Sequence, residues 1–263
     1  MEITPSSAGW TYSGLTVTTV DGPVDLTTGE SETLVLPLSG GCTVTVADEQ
    51  YELTGRESVF AGKTDFVYLP RDCEATITTR TPAKIAFPSA VCENALPVRY
   101  VPAENTPVEL RGAGNCSRQV NNFCTPEAFE ADKLIACEVL TPGGNWSSYP
   151  PHKHDESHPG ECELEEIYYF EVANGGMAYQ RVYGTPDRPM DILEEVRTDD
   201  VVLIPHGWHG PSMATPGYDL YYLNVMAGPG LTRKWLITDD PAHGWIRETW
   251  QQQELDPRLP FYD

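Results

Sequence analysis

The sequence predicts an all-β protein built from two domains with the same pattern of short strand-like runs. Short runs rich in threonine, valine and aromatic residues fill residues 14–88 and return from Lys133 onward. Turn residues interrupt these runs roughly every eight to twelve positions, a spacing typical of an antiparallel sandwich or barrel. Long helical patterns are scarce. The 263 residues are enough for one large domain or two medium ones.

The strand-like runs can be followed in order along the chain. In the first half they are GLTVTTV, ETLVLPL, CTVTV, YELTG, DFVYLP, EATITTR and AKIAFP. Residues 89–130 form a connector rich in Pro, Gly and Asn, in which we expect one further strand. In the second half the runs are KLIACEVLTPGG, EEIYYFEV, MAYQRVYG, DDVVLIP and YDLYYLNVMAG.

One fragment indicates that the two halves are copies. DFVYLPRDCE (Asp65–Glu74) aligns with DVVLIPHGWH (Asp200–His209), which pairs Pro70 with Pro205 and Glu74 with His209. We therefore predict an N-terminal domain over residues 1–126, including the connector, and a C-terminal domain over residues 127–263.

Histidine is confined to the second of these domains. The six histidines of the chain are His152, His154, His158, His206, His209 and His243. Only the second copy can therefore build an imidazole-rich site, and we expect no metal site in the first.

Composition excludes several classes of partner. The formal net charge is −22 with only 17 Lys and Arg residues, which disfavours binding to nucleic acid or to anionic membranes. The N-terminus lacks the pattern of a signal peptide, and no run of about 18 apolar residues offers a membrane span. The seven cysteines are scattered without a CxxC pair, as expected of reduced thiols. We expect a cytoplasmic protein, and the sequence leaves a homo-oligomer open.

The segment Tyr149–Phe170, YPPHKHDESHPGECELEEIYYF, concentrates the residues that could carry chemistry. His152 and His154 are two positions apart, so in a strand both point to the same side. Glu166 opens the next strand, and His209 follows the turn PHGWH after an apolar run. Three imidazoles and one carboxylate suit Zn, Fe, Mn, Co or Ni without choosing among them.

Two alternatives stay open at this site. The crowding of charge is also compatible with an acidic surface loop, because an isolated HxH pair is common in ordinary surface or core positions. Glu166 is preferred as the acidic ligand because a strand fixes its direction, whereas a loop acid has none. Its competitors are Asp155, Glu156, Glu161, Glu163 and Glu165.

Several of these motifs together resemble the two cupin motifs, and closely resemble the 5-deoxy-glucuronate isomerase family of inositol catabolism. They are PPHKHDE, LEEIYYFEV, VLIPHGWHG and PGYDLYYLNVMAGP. RGAGNCSRQVNNF (Arg111–Phe123) and TPGGNWSSYPPHKHDE (Thr141–Glu156) extend the resemblance over most of residues 100–230. The long spacing between His154 and Glu166 looks like a loop insertion of that family.

This resemblance implies a bicupin, with two jelly-roll β-barrel domains in tandem. It implies one divalent transition metal in the C-terminal barrel, held by the residues that match His152, His154, Glu166 and His209. The implied reaction is the aldose–ketose isomerisation of 5-deoxy-D-glucuronate to 2-deoxy-5-keto-D-gluconate in myo-inositol catabolism. A cupin dioxygenase and a non-catalytic sugar-binding cupin remain alternatives, and oxygen consumption would distinguish the first from an isomerase.

An anionic sugar substrate requires local cations in so acidic a chain. The candidates near the motifs are Arg118, Lys153 and Arg181, and each could equally be a solvated surface charge. Tyr168, Gln180 and Tyr222 are candidates for lining the substrate pocket, or for ordinary filling of the barrel. The sequence does not identify a catalytic base.

Overall fold

The computed structural model describes residues 1–262 and consists mainly of β-strands. Its contacts group into two units. The first comprises Met1–Pro107, Phe123–Ala136 and Val225–Arg233, and the second comprises Val108–Asn122, Cys137–Asn224 and the residues from Lys234 onward. The predicted domain boundary after residue 126 stays a prediction.

The first unit is built around one nine-stranded sheet with the path β1-β2-β8-β4-β6-β9, to which β3, β5 and β7 are added. Its strands are β1 (Glu2–Ile3), β2 (Ser13–Val20), β3 (Val24–Thr27), β4 (Ser31–Val46), β5 (Glu49–Arg56), β6 (Phe66–Leu69), β7 (Glu74–Thr78), β8 (Ala83–Val91) and β9 (Arg99–Val101).

Strand β4 joins two of the predicted runs, ETLVLPL and CTVTV, into one 16-residue strand. The register of its pairing shifts near Pro37 and again near Gly40, so its first half pairs with β6 and its second half with β5 and β7. A Cβ atom on Gly55 would lie 1.8 Å from the carbonyl oxygen of Gly40. This close approach of two backbones requires glycine.

The core of the first unit follows the two-residue alternation of its strands. Valine, leucine, isoleucine and phenylalanine side chains from six strands pack into one buried cluster. Representative members are Val20, Val35, Val44, Leu53, Val67 and Ile85.

The strands of the second half form three sheets. The orders are β10-β11-β12-β20-β15-β18, β13-β19-β16-β17 and β14-β21. The strands are β10 (Val108–Arg111), β11 (Arg118–Cys124), β12 (Ile135–Thr141), β13 (Trp146–Ser147), β14 (His152–Lys153), β15 (Glu165–Val172), β16 (Ala178–Thr185), β17 (Arg188–Val196), β18 (Val201–Ile204), β19 (Ser212–Ala214), β20 (Leu220–Ala227) and β21 (Thr238–Asp239).

Helices are few and short, as the sequence predicts. They are α1 (Pro5–Ala8), α2 (Ile246–Thr249) and the 3-10 turns Ala103–Asn105, Gly114–Cys116, Ala173–Gly175 and Trp250–Gln252. Within residues 1–262 there is no helix with the length and apolar character needed to cross a membrane.

The inward faces of three strands position the functional residues of the second unit. Val120 of β11, Tyr168 and Phe170 of β15, and Leu220 and Tyr222 of β20 belong to one buried cluster. Because side chains two positions apart share a face, the same rows are continued by polar residues. These polar residues are Arg118, Glu166 and Asn224, and all three are buried.

Candidate metal centre

Three of the four predicted metal ligands converge on one point. Oε2 of Glu166 lies 2.9 Å from Nε2 of His209 and 3.1 Å from Nε2 of His154. The two imidazole Nε2 atoms are themselves 3.1 Å apart. All three residues are at most 2% exposed, so the cluster is shielded from water.

The backbone fixes the orientation of these two imidazoles. Nδ1 of His154 lies 3.2 Å from the carbonyl oxygen of Leu164, and Nδ1 of His209 lies 2.9 Å from that of Gly207. A carbonyl can only accept, so each Nδ1 is the donor and carries the hydrogen. In the neutral imidazole this leaves the Nε2 lone pair facing the cluster, which is the arrangement that supports a metal ligand.

His152 borders the cluster. Its backbone pairs with that of His209 through two hydrogen bonds of 2.9 and 2.8 Å, and the two ring centroids are 4.8 Å apart. Its Nδ1 faces the carbonyl oxygen of Pro150 at 3.3 Å. Within residues 1–262, two groups have ligand atoms that all lie within 4.8 Å of one another: the buried group His154, Glu166 and His209, and the more exposed group Glu156, His158 and Glu161. His152 belongs to neither group.

The charges of the cluster suit a divalent cation. Burial opposes ionisation of Glu166, but in the metal-free site the interactions of this carboxyl with His209 and His154 hold its pKa far below its usual value. Burial and the two neighbouring imidazoles lower the pKa of His152 well below its usual value. Burial opposes protonation of His154, but Glu166 raises its pKa above the usual value. A buried carboxylate beside imidazole nitrogens is the ligand set that borderline divalent metals prefer, so these residues fit such an ion.

Asn224 completes the environment of Glu166. Its Nδ2 donates to Oε1 of Glu166 at 2.5 Å, which leaves Oε2 to face the imidazoles. Sequence reasoning missed Asn224. The available signal is a lone amide within the otherwise buried run LYYLNVMA of β20, because a polar residue in such a strand needs a partner.

The strand of Glu166 begins one residue earlier than predicted, at Glu165. Alternation then separates the two acids, because Glu166 is 2% exposed whereas Glu165 is only partly buried. The assumption that loop acids lack a direction is wrong for Glu161, which is 2% exposed. Its Oε1 accepts from Nζ of Lys153 at 2.9 Å and from the backbone N–H groups of Asp155 and Glu156.

Two of the three cations predicted near the substrate are bound to carboxylates of the protein. Nζ of Lys153 lies 2.8 Å from Asp155, 2.9 Å from Glu161 and 3.0 Å from Glu156. Nη1 of Arg181 lies 2.5 Å from Oδ1 of Asp191. These pairs satisfy both charges within the protein.

The aromatic candidates lie next to the metal cluster. The ring of Tyr168 is 6.4 Å from that of His209 and 5.1 Å from that of Tyr222. The hydroxyl of Tyr222 lies 2.9 Å from Oγ of Ser147 and 2.7 Å from Oγ of Ser148. Sequence reasoning did not identify these two serines.

Gln180 also lies within this unit, fully buried on β16. Its Oε1 accepts a hydrogen bond from Oγ of Ser212. Its neighbours on the same face, Ala178 and Val182, belong to the buried cluster of Tyr168 and Tyr222.

The remaining histidines lie outside the cluster. His158 is 43% exposed at its side chain and faces Glu161 at 3.4 Å. Burial lowers the pKa of His206. His243 lines a surface pocket with Trp146 and Tyr149.

Comparison with known proteins places these features in a family. The model of the KduI/IolB family matches residues 1–246. A 5-deoxy-glucuronate isomerase of Geobacillus kaustophilus is 41% identical over 255 residues, covering 95% of this chain and 91% of that protein. One of Bacillus subtilis is 41% identical over 259 residues, covering 94% of this chain and 92% of that protein.

Solved structures give the same picture of the fold. An IolB-like protein of Salmonella typhimurium superposes with a TM-score of 0.88 at 39% identity, covering 94% of each chain. An oxalate decarboxylase of Lactobacillus farciminis superposes with a TM-score of 0.65 at 12% identity, covering 90% of this chain and 82% of that one, and this likeness concerns the fold alone. The predicted all-β bicupin fold is confirmed, and the chain belongs to the KduI/IolB family.

Proposed function

We propose that this protein is a metal-dependent aldose–ketose isomerase acting on 5-deoxy-D-glucuronate, with a single divalent transition metal held by His152, His154, Glu166 and His209. The substrate is inferred from relatives of similar length that carry the name 5-deoxy-glucuronate isomerase. The product would be 2-deoxy-5-keto-D-gluconate, which places the reaction in myo-inositol catabolism. We infer a cytoplasmic location from this metabolic role.

One observation carries the metal requirement. His154 and His209 use their Nδ1 hydrogens on backbone carbonyls and direct Nε2 toward the same carboxylate oxygen of Glu166. Two nitrogen lone pairs facing a carboxylate in a buried position are unfavourable without a proton or a cation between them. A metal ion satisfies all three groups together.

An aldose–ketose isomerisation moves hydrogen from C2 to C1 and a proton between the two attached oxygens, with no net oxidation. A divalent metal supplies a Lewis acid for those neighbouring oxygens. Burial raises the pKa of Tyr222 to about 12, so its hydroxyl keeps its proton at neutral pH. Together with Ser147 and Ser148 it offers neutral hydrogen-bonding groups for a sugar hydroxyl. We assign no catalytic base.

The predicted alternatives differ in their need for oxygen and in turnover. A cupin dioxygenase would consume oxygen, and a sugar-binding cupin would not change its ligand. The names of the relatives favour isomerisation over both.

The test follows 5-deoxy-D-glucuronate by NMR in deuterated water under nitrogen, with the metal content of the same sample measured by elemental analysis. We expect the keto product to form without oxygen, and deuterium exchange at C1 or C2 would report the proton transfer. Removal of the metal by a chelator should stop conversion, and adding a divalent metal should restore it. Failure of the fully metallated protein to convert the substrate would refute the isomerase function.

Two substitutions separate the metal site from the fold. His209→Ala should lose the metal and the activity while the thermal unfolding midpoint changes little, because a β-sheet core does not depend on a metal as a zinc finger does. His158→Ala is a matched control, since that imidazole is 43% exposed and belongs to the separate, more exposed group with Glu156 and Glu161. Equal loss of metal in both variants would show that the ligands have been misassigned.

A further inference from the structure

We propose that Arg118 binds the carboxylate of the substrate and makes this site select uronic acids over neutral sugars. The proposal rests on the isomerase function proposed above and names the residue that defines its substrate class. It follows from three observations: an incompletely satisfied buried cation, the pairing of its neighbours, and its place on the inward face.

Arg118 is a buried cation without a carboxylate partner. It is 3% exposed, and its Nη1 donates to the carbonyl oxygen of Cys116 at 3.0 Å. Its guanidinium also lies 5.4 Å from the ring of Trp250. Among residues 1–262 no Asp or Glu oxygen is within 4.0 Å of it. Burial lowers the pKa of Arg118 to about 10, which reflects how poorly its charge is compensated.

Two nearby arginines, Arg111 and Arg247, repel the charge of Arg118. Unlike Arg118, each of them is bound to a carboxylate of the protein. Arg111, its cross-strand partner on β10, binds Glu109 through two hydrogen bonds of 2.9 and 2.6 Å. Arg247 binds Asp239 through two hydrogen bonds of 2.5 and 2.7 Å. Each of these neighbours is satisfied by a bidentate carboxylate of the protein. Arg118 retains that capacity for a carboxylate from outside.

Arg118 lies on the same inward face as the residues of the metal cluster. Arg118 precedes Val120 on the inward row of β11, and its charge acts on Tyr222 of β20. Asn224, which binds Glu166, lies two residues further along β20. Arg118, Tyr222 and the Glu166–Asn224 pair therefore line the same interior face of the sheet β11-β12-β20-β15, so a carboxylate bound at Arg118 would extend the sugar past Tyr222 toward the metal cluster.

The other cations predicted near the motifs do not offer the same capacity. The ammonium group of Lys153 is surrounded by three carboxylates, and the guanidinium of Arg181 is bound to Asp191. A substrate carboxylate would have to displace a partner from either of them. Arg118 requires no such exchange.

The experiment measures binding without turnover. Calorimetry on the metallated protein compares the C1 alcohols obtained by reducing 5-deoxy-D-glucuronate and 5-deoxy-D-glucose, which cannot isomerise and differ in having a carboxylate or a neutral group at C6. The variants are Arg118→Met, which keeps the length of the side chain without its charge, and Arg118→Lys. Arg197→Met is the control, because it removes one positive charge at an exposed residue that is paired with Glu195.

We expect Arg118→Met to weaken uronate binding at least tenfold, as the loss of a buried arginine–carboxylate pair does, and to leave binding of the neutral sugar unchanged. Arg118→Lys should retain part of the preference, and Arg197→Met all of it. The unfolding midpoint of Arg118→Met should not fall, because removing an unpaired buried charge relieves a desolvation cost. A lower midpoint with unchanged uronate binding would instead indicate a structural role and overturn the proposal.

Kinetics on the metallated protein separate this proposal from the isomerase function. Arg118→Met should raise KM for the uronate far more than it changes kcat. If the wild-type protein binds the uronate through Arg118 but does not convert it, the isomerase function is refuted and the role of Arg118 in carboxylate binding is retained. Turnover whose KM and substrate affinity do not depend on Arg118 would support the isomerase function and refute the proposed role of Arg118. If the wild-type protein binds the uronate no more tightly than the neutral sugar, the proposed role of Arg118 is also refuted.

Discussion

Asn224 holds Glu166 by a hydrogen bond of 2.5 Å from Nδ2 to Oε1, and both side chains are at most 3% exposed. This bond fixes the rotation of the carboxylate, so that Oε2 faces His154 and His209. We predict that Asn224→Leu, which has nearly the same shape but no donor, weakens metal binding by about 10- to 100-fold. Competition with a chelator of known affinity would measure the change.

Asn122→Leu is the control for this substitution. Asn122 also donates to a carboxylate, Oε2 of Glu109, at 3.3 Å, but outside the cluster. Its replacement should leave the metal affinity unchanged. A comparable loss in both variants would mean that the effect arises from general destabilisation.

A second prediction compares three acids of one segment. Glu166→Gln should lose metal almost completely, because it removes the anionic ligand of the cluster. Glu161→Gln should chiefly lower the unfolding midpoint, because Glu161 holds Lys153 and two backbone N–H groups. Glu163→Gln should change neither property, since Glu163 is exposed. Elemental analysis and thermal unfolding of the three variants check this, and equal metal loss in all of them would contradict it.

The same segment shows how far the sequence alone could predict the site. The sequence analysis preferred Glu166 as the first strand residue and counted Glu165 among the loop acids, whereas the strand begins at Glu165. The two side chains differ because alternation along the strand turns them to opposite faces. The direction of Glu161 depends on Lys153 and on neighbouring backbone N–H groups. Such contacts form only when the loop is folded, and no periodicity in the sequence encodes them.

Strand β17 shows a similar limit in the fold. RPMDILEEV was not predicted as a strand because it contains a proline and several acids, and its residues are largely exposed. Among residues 1–262 it lies at the edge of its sheet, next to β16 in the strand order. Edge strands tolerate proline and charge, so their composition resembles that of a loop.

A third prediction concerns the stability of the first unit. The carboxylate of Glu32 is fully buried and accepts hydrogen bonds from the backbone N–H groups of Asp132, Lys133 and Leu134, and from the hydroxyl of Tyr68. Glu32→Gln replaces one acceptor by an amide donor that faces other donors. We expect a loss of about 2–3 kcal/mol in the free energy of unfolding, measured by urea denaturation.

Glu30→Gln supplies the matched control, because Glu30 is exposed two positions away on the same segment. It should change the free energy of unfolding by less than about 0.5 kcal/mol. Metal content should be the same in both variants. Equal destabilisation by the two substitutions would argue that net charge, and not the buried hydrogen bonds, is responsible.

A fourth prediction concerns acid pH and Asp132. Burial opposes ionisation of this carboxyl, but hydrogen bonds from the Asn94 side chain and from the backbone N–H groups of Asn94 and Glu93 lower its pKa below the usual 3.8. A carboxyl with a lowered pKa in the folded state stabilises the protein above the pKa of the unfolded state, and this contribution is lost as the pH falls through the folded-state value. Asp132→Asn should therefore be less stable than the wild type at pH 6, and the difference should shrink as the pH falls below 3.8. Urea denaturation between pH 6 and pH 3 measures it, with Asp48→Asn as an exposed control of equal charge change. A difference that stays constant over this range would show that Asp132 stabilises the fold through its shape and not through its charge.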